Sequence, residues 1–199
     1  MLNRLNNGVG SEKNGGESML QEKYNRRIFD EGTEDAIQML SHLRSNVLSP
    51  LNIREGDNVL ILNPDSVSLV EWLLEKASDV TIGMTEDYKD EMINVLSMLP
   101  NVKKEIIEDI KGTFNIIISL GQLVETPTVL KRLLSAEGKL VYALSQKDRL
   151  SSFTEKLLDE AGFTDILSYR VSPDYLYTTE IYAEDYKGGG AGDYLLIAK

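Results

Sequence analysis

Residues 57–75 read DNVLILNPDSVSLVEWLLE, and this stretch decides the fold. Val59, Leu60, Ile61 and Leu62 form a short apolar run between Gly56-Asp57 and Asn63-Pro64. A run of this length, bounded by turn residues, predicts a strand buried on both faces. Past the turn, Leu69, Val70, Trp72, Leu73 and Leu74 recur at helical spacing, with Asp65 or Ser66 placed to cap the helix. Buried strand, tight turn and helix are the opening half of a βαβ unit.

The turn is unusual for such a unit. Where this turn binds a nucleotide, glycines let the backbone approach the ligand and let the helix N-terminus face it. Here it reads Asn63-Pro64-Asp65-Ser66-Val67-Ser68, without a glycine. Pro64 removes an N–H donor, and Asp65 and Val67 add side chains where a ligand would lie.

Outward from this core, the same alternation continues. Upstream, apolar residues from Ala36 to Leu48 recur at helical spacing, which predicts one helix over Glu34–Leu48, capped by Thr33 or Asp30 and ended by Pro50. Downstream, strands are predicted at Asp79–Met84, Val102–Ile107, Phe114–Leu120, Lys139–Leu144, Thr164–Val171 and Asp193–Ala198. Helices are predicted at Glu86–Leu99, at Thr126–Ala136 with Pro127 at its first position, and at Ser151–Ala161 closed by Gly162. Strands alternating with helices predict a largely parallel sheet with right-handed crossovers. The last two strands have no helix between them, which predicts an antiparallel hairpin at one edge, joined by the loop Ser172–Gly192. Residues 1–20, rich in Asn, Gly and Ser, read as a flexible tail, and 21–199 as one domain.

Composition narrows the chemistry. The chain has 199 residues, 42% apolar and 27% charged, enough for one α/β domain with a substantial core. It has no cysteine and one histidine, so thiolate zinc sites, cysteine nucleophiles and histidine-rich metal sites within one chain are excluded. A net charge of −11 opposes an extensive phosphate-contact surface, and no nucleic-acid partner is expected. No apolar run reaches the roughly 18 residues of a membrane span, and the N-terminus lacks the apolar core of a signal peptide. These features predict a cytoplasmic protein. His42 reads as an ordinary helix residue rather than a catalytic one.

LNIREGDNVLIL at 51–62, FNIIISLGQLVET at 114–126, AEGKLVYAL at 136–144 and LLDEAGFTDI at 157–166 carry a family resemblance. With the order of elements, they resemble the class I S-adenosylmethionine-dependent methyltransferases. The resemblance implies a seven-stranded, mostly parallel, doubly wound Rossmann-like sheet with an antiparallel last strand. More narrowly, PDYLYTTEIYAEDY at 173–186 resembles a segment of methyltransferase-like proteins linked to bacterial surface-polysaccharide glycosyltransferases. That match implies a glycosyltransferase or another protein as partner; oligomeric state is left open.

The resemblance also assigns cofactor positions. Asn63, Asp65 and Ser66 stand where the family has an acidic residue and a Gly-x-Gly-type turn. Met84 aligns with the acid that grips both ribose hydroxyls, and a thioether offers no strong acceptor. Asp109 stands where a carboxylate faces adenine, and Leu120-Gly121 forms the wall near the methionine moiety. Losing a bidentate charged contact removes on the order of 2–3 kcal/mol, about two decades of affinity. The reading favoured is therefore a degenerate cofactor site on a binding, scaffold or regulatory module that needs no cofactor. The alternative is a working methyltransferase holding S-adenosylmethionine through Asp109 and the backbone near Leu120-Gly121. No residue carries a catalytic motif.

Two further features remain open. Tyr169, Tyr175, Tyr177, Tyr182 and Tyr186 crowd the region of the last loop, either as a cover over a crevice or as packing on the sheet edge. Lys187-Gly188-Gly189-Gly190 looks like a phosphate-loop fragment, but no helix is predicted after it, so it reads as a hairpin connection.

Overall fold

The computed structural model describes residues 14–88, 90–100, 102–121, 124–145, 151–183 and 193–199. The first 13 residues and the glycine-rich stretch 187–192 lie outside the described residues. The predicted central strand is β1 (Asn58–Leu62), followed by α3 (Val67–Lys76); α1 (Asn14–Glu31) and α2 (Glu34–Leu40) precede it. Then come β2 (Asp79–Met84), α4 (Asp90–Leu96), β3 (Lys103–Ile106), β4 (Phe114–Leu120), α5 (Pro127–Leu133) and β5 (Leu134–Leu144). The chain ends with α6 (Ser151–Glu160), β6 (Leu167–Ser172), β7 (Glu180–Ala183) and β8 (Asp193–Ala198).

The strands form one sheet in the order β3-β2-β1-β4-β5-β8-β6-β7. Pairings among β1 to β5 are parallel, while β8 runs antiparallel to both β5 and β6. The doubly wound, mostly parallel architecture holds, and the last two predicted strands pair antiparallel as expected, with β8 lying between β5 and β6. The expected seven strands become eight. The loop after Ser172 contains an eighth strand, β7, paired antiparallel to β6 at the rim.

Alternation along the strands sorts the core into two layers. Val59 and Ile61, with Val80, Ile82, Ile116 and Ile118, pack under α2, α3 and α4. Leu60 and Leu62, with Ile117, Leu140 and Leu196, pack under α5, α6 and Phe163. Residues 59–62 are at most 2% exposed, as a strand covered on both faces requires.

Several boundaries differ from expectation. The stretch read as a tail to residue 20 overlaps α1, which begins at Asn14. Tyr24 and Ile28 of that helix are half-buried against the core, which ties it to the domain despite its polar start. The helix expected over Glu34–Leu48 breaks at Ser41, and residues His42–Leu48 continue as a 3-10 helix. The Ser41 backbone N–H closes α2 by bonding the Ile37 carbonyl, and its side chain then accepts from Leu43 N. A 3-10 turn and an α turn both keep apolar residues on one side, so spacing alone does not separate them. The expected turn at Glu137-Gly138 lies within β5, whose pairing with β4 shifts register between Phe114 and Ile116. Thr126 caps α5 with Pro127 at its start, and Gly162, at φ +86°, ends the turn after α6.

Candidate functional site

The turn after β1 makes its left-handed step at Asn63, whose φ is +40°. Asparagine is among the few residues other than glycine that adopt this region readily. The Asn63 backbone N–H donates to the Gly83 carbonyl at 2.9 Å. Its side chain locks β1 to the end of β2: Nδ2 donates to Thr85 Oγ1 at 2.8 Å, and Oδ1 accepts from Thr85 N at 3.0 Å. The turn thus gains with an amide the conformation that glycine would supply.

The Pro64 carbonyl and the polar side chains of the turn are engaged too. Tyr88 donates its phenol to the Pro64 carbonyl. Burial and then the nearby Asp65 charge push that phenol's pKa up, so it stays a donor. Asp65 Oδ1 accepts from Arg44 Nη2, and Oδ2 accepts from Gln38 Nε2 at 2.8 Å. Ser66 caps α3 by accepting from Leu69 N at 3.3 Å and donates to the Met39 carbonyl at 3.1 Å. Of the two predicted caps, Ser66 fills the role, and Asp65 faces the N-terminal segment instead.

Arg44 is the residue that sequence reasoning missed. It is fully buried, with its Nη1 donating to the Tyr175 carbonyl at 3.3 Å and its guanidinium 5.9 Å from the Tyr175 ring centroid. Among the described residues its Nε has no hydrogen-bond partner. The signal was present: Arg44 follows Leu40 by four positions and precedes Val47 by three, so it shares their inward side. A cation on a core-facing stripe calls for a carboxylate, and Asp65 is that partner.

Tyr175 also contacts Gly121. A Cβ placed on Gly121, at φ +85°, would lie 2.5 Å from its hydroxyl oxygen. The tyrosine therefore rests directly on the glycine that follows β4. Among the tyrosines of the last loop, Tyr175 and Tyr169 pack on the core, while Tyr177 is half-buried with its pKa raised chiefly by burial.

The predicted positions do not all converge. A cavity of about 370 Å³ opens at the carboxyl ends of β1 and β2. Asn63, Pro64 and Asp65 form one wall, Asp35, Gln38 and Met39 of α2 a second, and Thr85, Asp87, Tyr88 and Met92 the third. Ser66 is buried behind the turn, and Met84 is 9% exposed within the core layer. Asp109 is exposed on a short 3-10 turn and does not line this cavity. Leu120 and Gly121 lie outside it as well, on the side covered by Tyr175. His42 is exposed. Trp72 is half-buried against the core, with Lys76 Nζ 5.8 Å from its ring centroid. Among the described residues no cluster of His, Asp or Glu could hold a metal, and no helix is long and apolar enough to cross a membrane.

Neither a family model nor a curated protein matches the sequence. Solved structures do match. A TehB-like S-adenosylmethionine-dependent methyltransferase from Corynebacterium glutamicum superimposes with a TM-score of 0.56 at 11% identity, covering 92% of this chain and 98% of that one. An S-adenosylmethionine-dependent methyltransferase from Mesorhizobium loti gives 0.55 at 12% identity, covering 77% and 95%. A precorrin-6y methyltransferase from Geobacter metallireducens gives 0.52 at 14% identity, covering 78% and 86%. At such identities the likeness defines the fold: the chain has a class I methyltransferase-like fold. It does not carry those proteins' activities with it.

Proposed function

We propose that this protein is a non-catalytic binding or scaffold module built on the methyltransferase fold. The observation that carries the reading is the Arg44–Asp65 pair. In this reading Asp65 stands at the cofactor turn, and its carboxylate is already satisfied by a buried guanidinium and by Gln38. The other residues fit S-adenosylmethionine no better. The Pro64 carbonyl and the Ser66 hydroxyl are engaged internally, Met84 supplies no acid, and the cradle over Gly121 holds Tyr175. A ligand would have to replace each internal contact with one at least as good, because a buried charge left unpaired costs several kcal/mol.

The resemblance of segment 173–186 to polysaccharide-associated proteins gives the partner class: a glycosyltransferase of surface-polysaccharide assembly, or another protein of that machinery. The competing reading, an active methyltransferase, has one feature in its favour. Asp87 lines the cavity three residues beyond Met84, where it could accept hydrogen bonds from ribose hydroxyls. Thermal-shift titration separates the two. At about 1 mM S-adenosylmethionine or S-adenosylhomocysteine, a ligand with a Kd near 10 μM would stabilise the protein by about 2.7 kcal/mol. The proposal expects no shift from either ligand, and a clear saturable shift contradicts it.

A further inference from the structure

A second cavity, of about 390 Å³, shares no residue with the one at the carboxyl ends of β1 and β2. Leu51, Lys139, Leu167, Tyr169 and Ile197 are among its walls. Leu51 precedes β1, and Lys139 pairs with Ile116 near the start of β4, so this cavity sits at the amino ends of the parallel strands. Its apolar floor follows from strand pairing. Val141 of β5, Ile197 of β8 and Leu167 of β6 are successive partners across three strands, so their side chains share one face. Ile197 is 6% exposed and Leu167 53% exposed, so this apolar row runs out of the core into the open. Lys139 stands two positions before Val141 and therefore projects from the same face, half-buried.

We propose that this cavity binds a small amphipathic carboxylate, its head on the Lys139 ammonium and its apolar chain across Ile197 and Leu167 toward the Tyr169 ring. The charges select the head group. Lys199 and Asp165 also line the cavity, and they satisfy each other, with Nζ 3.1 Å from Oδ2. The Lys139 ammonium has no ion pair or hydrogen bond among the described residues. One uncompensated ammonium matches one negative charge, and Asp165 opposes a dianion. The spacing selects the chain. Tyr169 pairs with Leu195, and Leu195 with Ala143, four residues beyond Lys139. Head and far wall are thus about 13 Å apart along the strands, which suits an extended chain better than a compact ring. Burying that chain on Leu167 and Ile197 supplies the apolar part of the affinity. The proposal is independent of the reading given for the turn after β1.

The test titrates the full 15N-labelled chain with octanoate below its micelle-forming concentration, and with 1-octanol as the neutral match. Octanoate is expected to bind with a Kd at or below about 1 mM, shifting amides of β6, β8 and Leu51 and sparing Asn63 and Thr85. Octanol should bind the same amides at least about 5-fold more weakly. Lys139→Met keeps an apolar stem and removes the charge, so it should lower octanoate affinity to the octanol level and leave octanol unchanged. Leu167→Asn should weaken both ligands. The absence of saturable octanoate shifts at β6 and β8 overturns the proposal, and so does a Lys139→Met variant that binds octanoate as tightly as wild type. Should that variant not fold, equal affinities of the wild type for octanoate and octanol overturn it instead. Binding of S-adenosylhomocysteine would remove the non-catalytic reading and leave this site untouched.

Discussion

Asn63 holds Thr85 by two hydrogen bonds, donating from Nδ2 at 2.8 Å and accepting at Oδ1 from the backbone at 3.0 Å, so one side chain ties the ends of β1 and β2 together. The same residue carries a φ of +40°. Replacing it separates the two roles. Asn63→Gly keeps the backbone conformation and loses the bonds, an expected cost of about 1 kcal/mol. Asn63→Ala loses the bonds and strains the backbone, for about 2–3 kcal/mol in all. Urea denaturation should rank wild type above Asn63→Gly above Asn63→Ala. Equal losses in the two variants would show that the backbone conformation contributes nothing.

Arg44 and Asp65 form the pair that closes the turn from the N-terminal side. Arg44→Ala removes a fully buried side chain and leaves Asp65 without its cation, an expected loss of about 3–5 kcal/mol. Arg44→Met keeps most of the volume and should lose less. If the two variants melt alike, charge pairing rather than packing governs the position.

Gly121 and Tyr175 should be energetically coupled. Gly121→Ala places a methyl group 2.5 Å from the tyrosine hydroxyl, on a backbone that alanine adopts poorly, and should cost more than about 2 kcal/mol. In a Tyr175→Phe background the nearest ring atom lies 3.1 Å away, so the same substitution should cost measurably less. A coupling of at least about 0.5 kcal/mol in the double-mutant cycle is expected. Additive effects would mean that the phenol is not pressed against the glycine.

Glu71 gives a pH prediction. Burial raises its pKa above the usual 4.5; the Tyr24 hydroxyl, 2.6 Å away, opposes that rise, and Glu75 adds to it. A carboxyl raised on folding binds its proton more tightly in the native state than in the unfolded one. Stability from this group is therefore present below its ordinary pKa and is lost as pH climbs through the raised value. Glu71→Gln keeps an acceptor for Tyr24 without the charge. It should raise the melting temperature at pH 7 and leave it unchanged near pH 4. The gain stays below about 1 kcal/mol because the group is half-exposed and screened. A lower melting temperature at pH 7 would contradict the sign.

The strands were legible in the sequence because their apolar runs are continuous. Asp79–Met84, Phe114–Leu120 and Asp193–Ala198 appear with the predicted bounds, since only a strand buried on both faces fits so short a run. What stayed hidden depends on contacts between distant segments. β7 exists through pairing with β6, and nothing in Glu180–Ala183 announces that alone. The break at Ser41 is made by local serine hydrogen bonds that spacing does not encode. At the site, the sequence located the turn after β1 but not the neighbours its side chains meet. Arg44 is 21 positions from Asp65 and 131 from Tyr175, so these contacts emerge only when the fold brings three segments together.

The most direct measurement follows backbone and side-chain amides of the 15N-labelled protein by NMR while S-adenosylhomocysteine is added. The account predicts that the Gly121 backbone amide and the Asn63 and Gln38 side-chain amides hold their positions to about 1 mM ligand, because each group they would offer is already engaged within the protein. Saturating shifts at Gly121 and Asn63 with a Kd in the low micromolar range would contradict it.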